Sequence, residues 1–310
     1  MLQNLLKVRY ADAPVFLDVT SVISSYTRSA GANVGGQYAN VNHGDAFGTL
    51  GGNVGYEDKP TITYTPLAGE KFSRSLMAPL PISGILYLFE AAYPAGAVLR
   101  VAVKSINTLE NASGSRANPN PGDPKFAELA RAIHEAQTAS ALGVRQKTPK
   151  DRESAVMLFN TAAPAGADAL SKVRGLLGLD PTATEFEVVY GSLPSHKREI
   201  AILTRSTLQI LVEFASRIDV PAADVAEGRV YAPARTPEQA RLFPPILKVR
   251  SGATPPADAY VAMRYRNGWF WIDDRDERSK VGLNFLMFIF ALTESGKPDV
   301  GAPVVTIPAR

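Results

Sequence analysis

AYVAMRYRNGWFWI, residues 259–272, sets two apolar runs on either side of Arg266-Asn267-Gly268. Asn-Gly between alternating apolar residues is the strongest short-range signal for a β-hairpin. With Asn267-Gly268 as a two-residue turn, Arg266 pairs with Trp269 and Arg264 with Trp271 on one face. Val261, Met263, Tyr265, Phe270 and Ile272 then share the other, which must face the core. A three-residue turn with a Gly bulge would move this register by one position. A helix follows almost at once, from Asp276 or Ser279 to about Thr293, and Pro303–Ile307 reads as a last strand.

Upstream of the hairpin, helical and strand patterns are mixed. Residues 81–91 read as a helix and Val98–Ile106 as a strand, because Val98, Arg100 and Ala102 alternate with Leu99, Val101 and Val103. The segment SGSRANPNPGDP, 113–124, is the best loop in the chain and the candidate boundary between units 1–112 and 125–310, which otherwise form one continuous domain. Lys125–Leu142 carries Phe126, Leu129, Ile133 and Ala136 at helical spacing. Met157–Asn160 reads as a short strand, Gly166–Leu177 as a helix, and Glu185–Tyr190 with Glu199–Thr204 as a strand pair. Ser206 caps a helix that Pro221 closes; 233–245 is a Pro-rich connector. No repeating βα rhythm emerges, so the expected class is α+β, a mixed or antiparallel sheet with packed helices.

The N-terminal region differs. Between Pro14 and Tyr56 only Asp18, Arg28 and Asp45 carry formal charge, and eight glycines fall between Gly31 and Gly55. Val15–Tyr26 and Phe47–Tyr56 read as strands and Thr61–Thr65 as a third, together a Gly-rich β arm.

Composition excludes several functions. The chain has 310 residues, 33 Lys plus Arg against 30 Asp plus Glu, and no cysteine. Disulfide frameworks, Cys-ligated zinc, iron–sulfur clusters and thiol nucleophiles are all ruled out. Like charges form no long block, so nucleic acid is not an expected partner. The longest apolar run, Val281–Leu292, is interrupted by Asn284 and falls short of the ~20 residues of a membrane-spanning helix.

Catalytic motifs are mostly missing. The chain has no Gly-x-Ser-x-Gly elbow, P-loop or dinucleotide fingerprint. His134-Glu135 opens like a zinc-protease motif, but Thr138 stands where the second ligand belongs. Asp273-Asp274-Arg275-Asp276-Glu277 lacks calcium-loop spacing and suits a helix start. No metal and no cofactor is expected. His43, His134 and His196 are the only histidines, and Ser195-His196 looks like a hairpin turn. Two binding surfaces suggest themselves: the Arg264, Arg266, Trp269 and Trp271 face, by stacking or cation–π contact, and Thr204-Arg205-Ser206 at a strand-to-helix turn, where an anion would meet a helix N-terminus.

In Leu2–Val22, the residues Leu5, Leu6, Val8, Arg9, Tyr10, Asp12, Pro14, Phe16, Leu17 and Val19 form a spaced pattern. It resembles the start of a group of uncharacterised bacterial lipoprotein-like proteins, in which the stretch follows a lipid-modified cysteine. The likeness continues through Pro60–Tyr64, Ser105-Ile106-Asn107, Thr204–Ser206 and Tyr265-Arg266 to Ser279-Lys280. The resemblance implies an envelope protein, facing the periplasm or anchored at the outer membrane, with a leader and lipidated cysteine upstream of Met1. A cytoplasmic location is the alternative, since the first residues lack the apolar core of a secretory signal. No catalytic residue is implied.

The functional expectation is a non-enzymatic, envelope-associated assembly protein whose β arm pairs with a second copy or an envelope partner. The alternatives are a ligand-binding module using the Arg–Trp face and a hydrolase or transferase centred on His196.

Overall fold

The computed structural model describes residues 1–36, 48–67, 69–115, 119–147, 154–232, 236–293 and 305–308. His43, Phe47, 303–304 of the expected last strand, 116–118 of the expected loop and 233–235 of the connector lie outside the described residues. The chain divides into two compact units, Met1–Pro14 with Gly69–Gly296, and Val15–Ala68 with Lys297–Arg310. The loop at 113–124 therefore falls inside the larger unit, where Ser113 and Asn120 bridge one another.

Helix α1 (Leu2–Arg9) precedes the long strands β1 (Phe16–Gly36) and β2 (Gly48–Leu67). Helices α2 (Glu70–Met77), α3 (Ile82–Glu90) and α4 (Ala95–Ala102) lead into strands β3 (Val103–Ile106) and β4 (Leu109–Glu110). Helix α5 (Pro124–Thr138), strands β5 (Leu142–Lys147) and β6 (Ser154–Phe159), helix α6 (Ala167–Leu177), then β7 (Glu185–Tyr190) and β8 (Glu199–Thr204) follow. The last part holds α7 (Thr207–Ala215), the short α8 (Ala222–Ala226) and α9 (Pro237–Leu242), β9 (Arg250–Gly252), β10 (Ala259–Tyr265), β11 (Gly268–Asp273), α10 (Glu277–Thr293) and β12 (Val305–Pro308). The class is α+β.

The core of the larger unit is a mixed six-stranded sheet in the order β4-β3-β8-β7-β6-β5. Strand β8 is almost wholly buried, as a central strand should be, whereas β7 alternates exposed and buried. Helices α3 and α5 pack on β5, α3 also meets β7, and α5 lies against α4 and α6. The stripe of Phe126, Leu129, Ile133 and Ala136 is buried as its spacing predicts. Asp123 caps α5, accepting from the Lys125 N–H, with Pro124 in the first turn. The helix ends sooner than expected. Ser140 takes φ +53° and the Ala141 N–H closes on the Ala136 carbonyl, after which Leu142 opens β5.

Three further expectations are corrected. Residues 95–102 are helical, and only Val103–Ile106 of the predicted strand is extended. Val98, Leu99, Val101 and Ala102 are all buried, and a segment buried on every side has no exposed positions to betray its period. Strands β7 and β8 run parallel, with Glu187 beside Glu199 and Tyr190 beside Ile202. The segment 191–198 therefore carries the chain back along the strand, and Ser195-His196 is not a hairpin turn. Pro221 does not close α7, which ends at Ala215; it stands at the N-cap of α8.

The Asn-Gly hairpin forms, but the register differs by two residues. Tyr265 pairs with Gly268, Arg264 with Trp269 and Ala262 with Trp271, so Arg266-Asn267 is the turn and Arg266 takes φ +50°. A shift of two preserves the faces: Phe270 and Ile272 are fully buried, with Val261, Met263 and Tyr265 half-buried beside them. Strand β9 completes an antiparallel three-stranded sheet in the order β10-β11-β9.

In the smaller unit, β1 and β2 pair antiparallel through twenty register positions, from Phe16–Leu67 to Gly36–Gly48. The two strands expected at 47–56 and 61–65 are thus one continuous strand. The order is β1-β2-β12.

Asn107 shows how closely the larger sheet is fitted. At φ +48° in the β3–β4 turn it donates from its main chain to the Ala201 carbonyl. Its side chain accepts from the Ala201 N–H at 2.9 Å and donates to the Leu177 carbonyl at 3.0 Å. Asn107→Ala removes both side-chain bonds and leaves a strained backbone, and should cost about 2–4 kcal/mol in denaturant unfolding. Asn107→Gly relieves the strain alone and should fall about 1 kcal/mol short of that loss.

Candidate functional site

Thr204-Arg205-Ser206 sits where β8 turns into α7. Ser206 forms a capping box with Gln209, and the Thr204 hydroxyl donates to the Leu80 carbonyl at 2.7 Å. Arg205 is 4% exposed. Its guanidinium donates to the carbonyls of Arg100 and Val101, each at 3.1 Å, and to that of Ala112. Asn111 adds bonds to Arg100 and Val103 at 2.9 and 2.7 Å. Together they cap the C-terminus of α4, where carbonyls have no partner within the helix. The three residues expected to hold an anion are thus committed to the fold.

The Arg–Trp set is divided. Arg264 is exposed on the face it shares with the half-buried Trp269 and Trp271, whose backbones pair with Gly252 and Arg250 of β9. Arg266 turns away toward the N-terminal segment. Its Nη2 binds both Asp12 carboxylate oxygens, at 3.1 and 2.9 Å, and its guanidinium lies 4.9 Å from the centre of the Tyr10 ring. The Tyr265 hydroxyl also donates to Asp12. The Tyr265 and Arg266 bonds hold the Asp12 carboxyl below its ordinary range. Tyr10 packs against Tyr265 and Phe270 and donates to Asp224 at 2.5 Å. Burial, then that bond, pushes its hydroxyl well above the usual range.

His196 is exposed, 3.7 Å from a Glu199 carboxylate oxygen, and its Nδ1 accepts from the Arg198 N–H. His134 is exposed and its Nδ1 lies 3.4 Å from Gln137 Oε1. Among the described residues no His, Asp and Glu cluster suits a metal ion. In the acidic run, Asp276 accepts from the Ser279 N–H and hydroxyl, Asp274 pairs with Lys280, and Arg275 pairs with Asp258. These are helix-start contacts.

The sequence reading missed Arg9 as a feature of the fold. It is 1% exposed, donates to the Tyr231 carbonyl at 2.8 Å and lies 4.4 Å from the Tyr231 ring centre. Among the described residues no carboxylate meets it, and its Nη1 is buried without a hydrogen-bond partner. It lines a cavity of about 260 Å³ with Tyr10, Val212, Ala215 and Tyr231. Nothing in local spacing could mark it, because its partners lie more than 200 residues away.

The largest unpartnered feature is the arm. Strand β12 pairs with β2 only from Tyr64 to Thr61. Among the described residues, β1 has no strand on its outer edge and β2 from Gly48 to Pro60 has only β1. Compared with protein-family models, with curated proteins and with solved structures, the chain matches none.

The Asp12 contacts make a pH-dependent prediction for the larger unit. A carboxyl whose folded pKa is depressed adds stability above its unfolded value near 4, and that stability is lost as pH falls through the folded value. Asp12→Asn should therefore destabilise by about 0.5–1 kcal/mol at pH 7, the range of a half-exposed pair. In thermal melts the difference from wild type should shrink as pH is lowered through 4 toward 2.

Proposed function

We propose that the chain is a non-enzymatic assembly protein of the bacterial envelope, in which the smaller unit pairs with copies of itself and the larger unit is the folded body. The observation that carries this reading is the ladder of twenty register pairs, which among the described residues has a partner strand over four residues at its base. A two-stranded ribbon is marginal in water by itself, and an unpaired strand edge is a template for a further strand. Nature blunts such edges with charge and proline. Strand β2 carries Glu57-Asp58-Lys59-Pro60, but β1 has only Asp18 and Arg28 in 21 residues. The β1 edge is therefore the open template. The envelope placement is supported by the resemblance carried by Leu5–Val19.

Replacing Tyr26–Asp58, which stand opposite each other, by Asn-Gly joins Ser25 to Lys59 through a short turn. Light scattering should find the full chain as an oligomer, in buffer or in detergent micelles, and the shortened chain as a monomer whose larger unit melts unchanged. A full chain that remains monomeric under every condition, including with vesicles, overturns the reading.

A second reading, a ligand-binding module, is favoured by Arg9 rather than by the Arg–Trp face. A buried guanidinium without a carboxylate, open to a cavity, suits a small anion. Millimolar inorganic phosphate should raise the melting temperature of the wild type by mass action and leave Arg9→Met unchanged. Equal shifts in both would reject it.

A further inference from the structure

The distal half of the β1–β2 hairpin carries a pattern that edge pairing in water does not require. Beyond the level where Thr27 stands opposite Glu57 and Arg28 opposite Tyr56, neither 29–36 nor 48–56 contains Asp, Glu, Lys or Arg. Successive strand positions alternate between the two faces of a sheet. The register puts Ala30, Ala32 and Val34 with Leu50 and Val54 on one face. Ser29, Asn33, Thr49 and Asn53 fall on the other. Every remaining position in the ladder from Ser29–Gly55 to Gly36–Gly48 is glycine.

One face is thus apolar or glycine throughout, and the other is small, neutral and polar or glycine throughout. A water-exposed ribbon gains solubility from charge on at least one face, and this one has none. Apolar outside and uncharged polar inside is the alternation of a strand in a membrane barrel, with lipid on one side and a water-filled lumen on the other.

Length and boundaries agree with that reading. In sequence the run without Asp, Glu, Lys, Arg or His extends over 14 residues from Ser29 to Asn42 and over 11 from Ala46 to Tyr56. A tilted spanning strand needs about 9–11, and the described parts of these runs, 29–36 and 48–56, supply eight and nine. Charges return together at one level, Arg28 with Glu57, Asp58 and Lys59, and Tyr26 and Tyr56 stand at that level. Aromatic and charged residues gathered at one height are what a membrane–water boundary selects.

A lone hairpin cannot span a bilayer, because each unpaired peptide group on its two edges costs several kcal/mol in hydrocarbon. The open edges must be closed by other strands, and the strands of matching length and pattern are those of other copies. We infer that residues 29–36 and 48–56 insert into a lipid bilayer as two adjacent strands of a β-barrel built jointly by several copies of this chain. The Ala, Val and Leu face meets lipid and the Ser, Thr and Asn face lines the lumen. The smallest such barrels have about eight strands, so at least about four copies are needed. This inference rests on the assembly reading and names the environment and the partner of the same arm.

The absence of cysteine allows a direct test on the full chain. Single cysteines placed along 29–36 and 48–56 are labelled with an environment-sensitive fluorophore and mixed with vesicles of phosphatidylethanolamine and phosphatidylglycerol. Emission should shift to the blue, and lipid-borne quenchers should act, at positions 30, 32, 34, 50 and 54 and not at 29, 33, 49 and 53. Entrapped dye should leak; Val34→Asp should cut the leak at least tenfold, whereas Asn33→Asp should preserve it and shift ion selectivity toward cations. Circular dichroism and melting of the larger unit verify that each variant is folded. An oligomer in buffer with no period-two signal and no leak overturns the barrel and leaves the assembly reading standing. A monomer both in buffer and with vesicles, with no leak, overturns both.

Discussion

The buried Arg205 guanidinium is the contact on which the larger unit depends most. It reaches the last carbonyls of α4 and the carbonyl of Ala112 from the junction of β8 and α7. A helix of eight residues has little stability of its own, and its carbonyl end would be costly to bury unpaired. Arg205 and Asn111 satisfy that end from outside the helix, which lets α4 turn directly into β3 at Val103. Strand β3 then takes its place beside β8, the strand that delivers Arg205. Sheet, helix and cap are therefore joined in one arrangement.

The two units solve the problem of strand edges differently. In the larger unit every strand of the six-stranded sheet except the two at its ends has a neighbour on each side, and helices cover it. In the smaller unit, among the described residues, twenty register positions of backbone pairing are accompanied by a third strand over four. Hydrogen bonds between two strands do little to repay the conformational entropy of holding some forty residues extended. In the proposed assembly a second copy supplies the strand edges, and a bilayer rewards the segregation of Ala, Val and Leu from Ser, Thr and Asn.

Some elements were legible because their signal is local. The helix at 124–138 follows from its apolar spacing, and the start of the helix after 206 follows from Ser206 as its cap. The hairpin at 259–273 follows from Asn267-Gly268. The turn lies one residue before its expected place, which moves the pairing register by two, and Arg266, at φ +50°, is held there by Asp12 and Tyr10, contacts more than 250 residues distant in sequence. For the candidate sites, local position marked Arg205 at a strand-to-helix turn and Arg266 beside the hairpin turn, but not the carbonyls and carboxylate to which each donates. Arg9 gave no local signal, because a buried cation is recognised by what surrounds it.

By itself the sequence determined the α+β class, the five longest helices, most strands, the inward face of the hairpin and the low charge of the N-terminal arm. These depend on residues within one or two turns or strand steps of each other, where spacing and propensity act directly. Tertiary structure alone decided that 95–102 is helical, that β7 and β8 run parallel, and that the arm is one long ladder. In each case several backbone conformations suit the local residues equally well. The choice falls to partners far along the chain that satisfy a carbonyl, supply a strand or leave one unpaired.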